Sequence, residues 1–198
     1  MSVGEAVWPQ MHEISGVSLG TAQAGVKYQN RTDLLVMEIA EGATVSGVFT
    51  QNAFTAAPVL VGRDHLATGD IRYFLINSGN ANACTGERGQ NDALACCQGV
   101  AEEKGVNARQ VIPFSTGVIG EYLPVDRILA AVPSAMSALS SHGWLRAAEA
   151  IMTTDTRPKG ASVQFEHDGE IISVTGISKG AGMIRPNMAT MLAFIATD

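Results

Sequence analysis

No block of Lys and Arg, no long apolar run and no CxxC pair occurs in this 198-residue sequence. Each absence closes off a class of function. Without clustered cations the chain has little to neutralise a row of phosphates, and its net charge of −6 works against them, so nucleic acid is disfavoured as a partner. No stretch reaches the roughly 18 apolar residues that a membrane-spanning helix needs. Residues 1–10 carry Glu5 and lack the basic and then apolar regions of a secretory leader. The three cysteines, Cys84, Cys96 and Cys97, are odd in number and lack metal or redox spacing; they read as reduced thiols in a cytoplasmic protein. Charged residues are scarce at 16% and aromatics at 6%, whereas 46% of the chain is hydrophobic and 21 residues are Gly. That balance suits a globular chain with a real core, and residues 1–198 are expected to form one domain.

Common catalytic signatures are also missing. His12, His65, His142 and His167 never fall at the i, i+4 spacing of a zinc helix, and no Cys/His cluster exists. Neither GxxxxGK[ST], GxGxxG nor GxSxG occurs, and Gly180, Gly182, Gly86 and Gly89 lack the spacing of a phosphate cradle. His167 is expected at an exposed hairpin tip, and Glu102 and Glu103 on a solvated helix surface.

What is present reads as strands, then helices, then strands. Short β-branched or apolar runs at 34–40 and 45–50 flank a turn at Glu41 and Gly42, and further runs follow at 59–61 and 71–76. Asn91 or Asp92 can cap a helix with Leu94, Cys97, Val100 and Ala101 on its apolar stripe, ended by Gly105. Pro124 fits the first turn of a second helix with Ile128, Leu129 and Val132 on one face, and Pro133 should break or kink it. Ser141 can cap a third helix through Trp144, Ala148 and Ile151. Residues 161–178 form the clearest hairpin, because Asp168-Gly169 is preferred where both central residues need positive φ. A final strand is expected over 190–197. This order suggests an α+β, layered αββα-type architecture rather than alternating βαβ units. The chain stops just after the apolar run 191–196, which reads as half of something longer.

Four segments could carry chemistry. In 179–192, Lys-Gly-Ala-Gly-Met-Ile-Arg-Pro-Asn-Met-Ala-Thr-Met-Leu, a Gly-rich stretch leads through Pro186 into Ala189-Thr190 and then a strand. If the Ala189–Thr190 bond were cut, Thr190 would own both a hydroxyl and an α-amine. With a reference pKa of roughly 7.7–8.0, that amine is partly neutral near pH 7 and can act as the residue's own base. In 114–120, an apolar strand ends in Ser115-Thr116-Gly117, where backbone N–H groups and the Thr116 hydroxyl could stabilise an oxyanion. The Asn-rich loop 77–86 could hold an amide-bearing substrate or satisfy its own backbone. Residues 152–159 make a polar loop closing the third helix. Taken singly, each segment reads more readily as structure: a strand start, a turn, a loop.

Together, and in this order, they resemble the ornithine acetyltransferase (glutamate N-acetyltransferase) family of arginine biosynthesis. The similar stretches are 47–52 with 56–58, then 77–86, 115–120, 153–159 and 179–192, so the resemblance runs across nearly the whole chain. It implies a precursor about twice this length that cuts itself between Ala189 and Thr190. Its fold would be similar to that of the self-processing N-terminal nucleophile enzymes. Residues 1–189 would be the α part and 190–198 the start of the β part. The resemblance makes Thr190 the nucleophile, Thr116 and Gly117 the oxyanion hole, and Thr156, Lys179 and Thr190 contacts to substrate. Acetyl would pass from N-acetylornithine to glutamate without a cofactor, with acetyl-CoA as a further donor in some members. Partners would be the chain's own β part and a second αβ pair, an α2β2 heterotetramer. The remaining substrate contacts would lie in the β part, so this chain alone is expected to be inactive. Rival readings are an amidase or aminopeptidase of related fold, or a non-catalytic assembly half.

Overall fold

The computed structural model describes residues 7–183, 187–188 and 190–198. Its first sheet joins β1 (Val17–Ala22), β2 (Leu34–Ile39), β3 (Tyr73–Asn80) and β4 (Val111–Val118) in that order. The first two pairings are antiparallel and β3–β4 is parallel. A parallel pair needs a crossover, supplied here by the long helix α2 (Gly86–Lys104), so one βαβ unit sits inside an otherwise antiparallel sheet. β2 is buried on both faces, which explains its unbroken apolar run. Leu34 and Val36 face a core shared with α1 (Ala57–Leu66), α2 and α3 (Val125–Ser137), whereas Leu35 and Met37 face a second core.

That second core lies between the two sheets. The second sheet, β5 (Lys159–His167), β6 (Glu170–Lys179) and β7 (Leu192–Thr197), is antiparallel throughout and contributes Ile177 and Phe194. Phe194 meets Phe114 of β4 edge-on at 5.0 Å, and Phe114 meets Phe74 of β3 at 5.2 Å. α4 (Trp144–Ala150) closes the core with Trp144, Ala147 and Ala148. The layers are therefore helices, sheet, sheet: the α+β layering expected from the sequence. The far side of the second sheet carries Val163, Phe165 and Ile195, which are 56%, 51% and 76% exposed.

Several local expectations hold. Asp168 and Gly169 both adopt positive φ, and the hairpin register pairs Val163 with Val174 and Phe165 with Ile172. Gly105 caps α2 in the left-handed conformation. Others are corrected. Residues 59–61 belong to α1, not a strand: Pro58 sits in the first turn, where no N–H is needed, and Ala57, Val61 and His65 recur at helical spacing on the buried side. Residues 45–50 form no regular strand, and Val48 is 82% exposed. α2 starts at Gly86, ahead of Asn91, and buries Ala93 and Cys96 while Leu94 points out. α3 runs through Pro133 instead of breaking; that residue lies on the exposed side, where water can reach the carbonyl it leaves unbonded. α4 is preceded by Gly143 rather than capped by Ser141. β1 was not anticipated.

Candidate active site

Four elements converge at one end of the space between the sheets. The first is the end of β4. Thr116 is buried and pairs in register with Ser78 of β3, so both side chains point into the gap between the sheets. Ser78 Oγ is buried there without a hydrogen-bond partner among the described residues. The next residue, Gly117, has φ +139, and a Cβ there would lie 2.3 Å from the Gly79 carbonyl carbon. Only glycine fits, because β3 and β4 approach each other at an irregularity in their register.

The second element is the end of β6. Lys179 is buried, and its Nζ donates to Thr116 Oγ1 (2.8 Å) and to Thr153 Oγ1 (2.9 Å). Because Thr116 Oγ1 accepts from the lysine, its own hydrogen is left to donate elsewhere. Burial lowers the Lys179 pKa; Asp155 opposes that shift and Lys159 adds to it, so the ammonium yields its proton more readily than usual.

The third element is the loop between α4 and β5. Asp155 has a fully buried side chain that accepts from Lys159 Nζ and from the N–H groups of Gly180 (2.9 Å) and Thr153 (3.3 Å). Burial pushes its carboxyl up, but these donors outweigh burial and hold it below its ordinary pKa. Thr156 follows directly and is exposed.

The fourth element is the entry to β7. Leu192 pairs with Lys179, which brings the segment containing Thr190 to the same end of the sheet. The Thr190 hydroxyl donates to the Met183 carbonyl. Ala189 lies outside the described residues, as does the Pro186 stretch. Of the residues singled out in the sequence, the structure thus joins Thr116 to Lys179 directly, sets Gly117 beside them and gives Thr190 the neighbouring strand end. Thr156 stands one residue from the buried Asp155. Thr153, Asp155 and Lys159 were given no part from the sequence, although all three stand in the polar segment 152–159; the four-residue spacing of Asp155 and Lys159 was the available signal.

The Asn-rich loop is spent on backbone carbonyls, within the loop and beyond it. Asn77 donates to the Asn80 carbonyl, Asn80 to the carbonyls of Glu121 and Tyr122, and Asn82 to the Gly89 carbonyl. It holds the β3–α2 connection rather than presenting free amides. His167 and the pair Glu102 and Glu103 are exposed, as expected. Cys96 and Cys97 are buried free thiols, and burial pushes Cys96 up to about 12, which leaves it unreactive. Among the described residues no cluster of metal-ligating side chains occurs, and no helix is long and apolar enough to cross a membrane.

The sequence matches the model of the ArgJ family over residues 18–198. Over all 198 residues it is 56% identical to the arginine biosynthesis bifunctional protein ArgJ of Pseudomonas fluorescens, covering 49% of that protein. Over 185 residues, 93% of this chain, it is 60% identical to the protein of the same description from Methylococcus capsulatus, covering 45% of it. The chain spans about half the length of these relatives. Among solved structures it is similar to the ornithine acetyltransferase of Mycobacterium tuberculosis complexed with ornithine, with a TM-score of 0.78 and 34% identity over 90% of this chain and 94% of that one. It is also similar to the arginine biosynthesis bifunctional protein of Bacillus halodurans, with a TM-score of 0.75 and 35% identity over 90% of this chain and 92% of that one.

Proposed function

Because this chain belongs to the ArgJ family, we propose that it is the α half of a glutamate N-acetyltransferase that cuts itself before Thr190. The observation that carries this reading is the hydrogen bond from Lys179 to Thr116, beside Gly117 and next to the strand that Thr190 precedes.

In the uncut chain, Thr190 Oγ attacks the Ala189 carbonyl. The hydroxyl proton passes to the nitrogen and the C–N bond breaks, which frees the Thr190 amine; water then hydrolyses the resulting ester, releasing the Ala189 carboxylate and the Thr190 hydroxyl. That amine then takes the hydroxyl proton as Oγ attacks the acetyl carbon of N-acetylornithine. Negative charge builds on the acetyl oxygen, where the Thr116 hydroxyl and the Gly117 N–H donate to it. Lys179 strengthens the Thr116 donor by bonding to its oxygen. Collapse expels ornithine, which receives the proton held by the Thr190 ammonium. The glutamate amine next attacks the acyl-threonine, yielding N-acetylglutamate and the free hydroxyl. Thr156, exposed at the rim, contacts the amino-acid portion of the substrate.

The partner in this reading is the β part, about the other half of the relatives' length, in an α2β2 assembly. The outer side of the second sheet, bare among the described residues, supports it. Val163, Phe165 and Ile195 share that side with Ile172 and Val174, an apolar surface suited to a further packed layer. Free thiols suit a cytoplasmic location.

The test is product analysis of the complete protein given N-acetylornithine and glutamate. N-acetylglutamate and ornithine in equal amounts, abolished by Thr190→Ala, are expected. Free acetate instead would make the protein a hydrolase, and no turnover would refute the proposal.

A further inference from the structure

A carboxylate in a polar loop is ordinarily solvated, yet the side chain of Asp155 exposes no surface. Burying a carboxylate is costly unless donors surround it, and the donors found here come from three directions. The Thr153 N–H comes from the same loop, Lys159 Nζ from the start of β5, and the Gly180 N–H from the residue after Lys179. Each donor also bears on Lys179. Thr153 supplies the second oxygen that the lysine grips, Gly180 continues its backbone, and Lys159 pairs with Ser178, its preceding neighbour. Arg31 braces the same loop from outside by donating to the Met152 carbonyl at 2.6 Å.

We infer that Asp155 is a positioning residue that locks the Lys179 ammonium onto Thr116, acting through Thr153 and Gly180. Without it, the loop loses its hold on β6, and Lys179 loses one of its two oxygen partners. Among the described residues, the charges facing Lys179 are those of Asp155 on the loop and Lys159 on β5; Thr116 on β4 and Thr153 are neutral. Asp155→Asn has the same shape and can still accept from Gly180, but its amide nitrogen cannot also accept from the Thr153 N–H, and it leaves Lys159 and Lys179 without an anion between them. Lys179 then holds its proton less firmly. Lys159→Met removes a like charge and works in the opposite direction. The catalytic consequence rests on the acyl-transfer reading above; the geometry does not.

Two measurements test this. In the uncut Thr190→Ala protein, labelled with 15N-lysine and assigned with Lys179→Arg, the Lys179 resonance is titrated. Asp155→Asn is expected to move its midpoint to lower pH, and Lys159→Met to higher pH. In the complete enzyme, Asp155→Asn is expected to lower kcat by up to about 100-fold, as misplacement of a site group does, with KM nearly unchanged. The alkaline limb of its pH profile should shift to lower pH. A folded Asp155→Asn protein with an unchanged Lys179 midpoint and an unchanged alkaline limb would overturn the inference. Should that variant not fold, an unmoved midpoint in Lys159→Met would overturn it equally. If the wild-type enzyme transfers no acetyl group, the functional reading fails, while the titration still decides the role of Asp155.

Discussion

A side chain at Gly117 would have nowhere to go, and one at Thr116 has little room to differ. An added Cβ at Gly117 meets β3 backbone at 2.3 Å with φ at +139, so Gly117→Ala should destabilise the fold by about 1–3 kcal/mol or more in denaturant titration. Thr116→Ala removes only a hydroxyl and a methyl group. It should fold, yet slow acetyl transfer by about 10²–10³-fold, the usual loss of one oxyanion donor, while Thr116→Ser keeps most activity. Full activity in Thr116→Ala would remove Thr116 from the mechanism. The sequence reading singled out both residues, and the resemblance added Lys179, but their contact was not foreseen. Thr116 and Lys179 stand 63 positions apart and meet only because β4 and β6 end at the same edge of two facing sheets. Asp155 was illegible for a related reason: a loop acid reads as solvated until tertiary structure brings Gly180 to it.

Turn chemistry was the most readable signal among the elements. Asp168-Gly169 and Gly105 each demand a backbone conformation that few residues take, and each holds. Apolar runs were less decisive. Val59, Leu60 and Val61 suit a strand as well as a helix, and the deciding features are the length of the element and Pro58 at its start. β1, with a mid-strand Gly20, gave a weak pattern; that glycine passes so close to α3 that a Cβ would lie 2.0 Å from the Ala135 carbonyl oxygen. A strand was expected from residue 190; β7 starts at Leu192, and under the proposed function its anchoring matters most. Phe194 is 4% exposed and packs edge-on against Phe114, pinning the strand that Thr190 leads into. Phe194→Ala should cost about 3–5 kcal/mol in unfolding measurements and slow the appearance of the cut. Unimpaired cutting in that variant would show that β7 is held in place by its hydrogen bonds to β6 alone.

For the molecule as a whole, the order of elements was enough for the layered α+β class but not for its one parallel pairing. β3 and β4 are joined by α2 in a βαβ unit that strand-like and helix-like runs alone do not distinguish from a hairpin with an insertion. At this scale the structure also separates what the chain has from what it leaves open. One side of the first sheet is covered by helices and the other by the second sheet, whereas among the described residues the outer side of the second sheet is bare and apolar. A covering layer there would hold β6 and β7 rigidly, and with them Lys179 and Thr190. The double length of the relatives, the apolar face and the position of Thr190 ahead of an anchored strand all fit such a layer.

The most direct measurement is the intact mass of the complete protein, read before and after incubation, with Thr190→Ala alongside. Two fragments whose masses place the cut between Ala189 and Thr190, a new N-terminal threonine, and an uncut Thr190→Ala protein are expected. A single uncut mass for the wild type, in a preparation that still transfers acetyl groups, would contradict self-cleavage before Thr190.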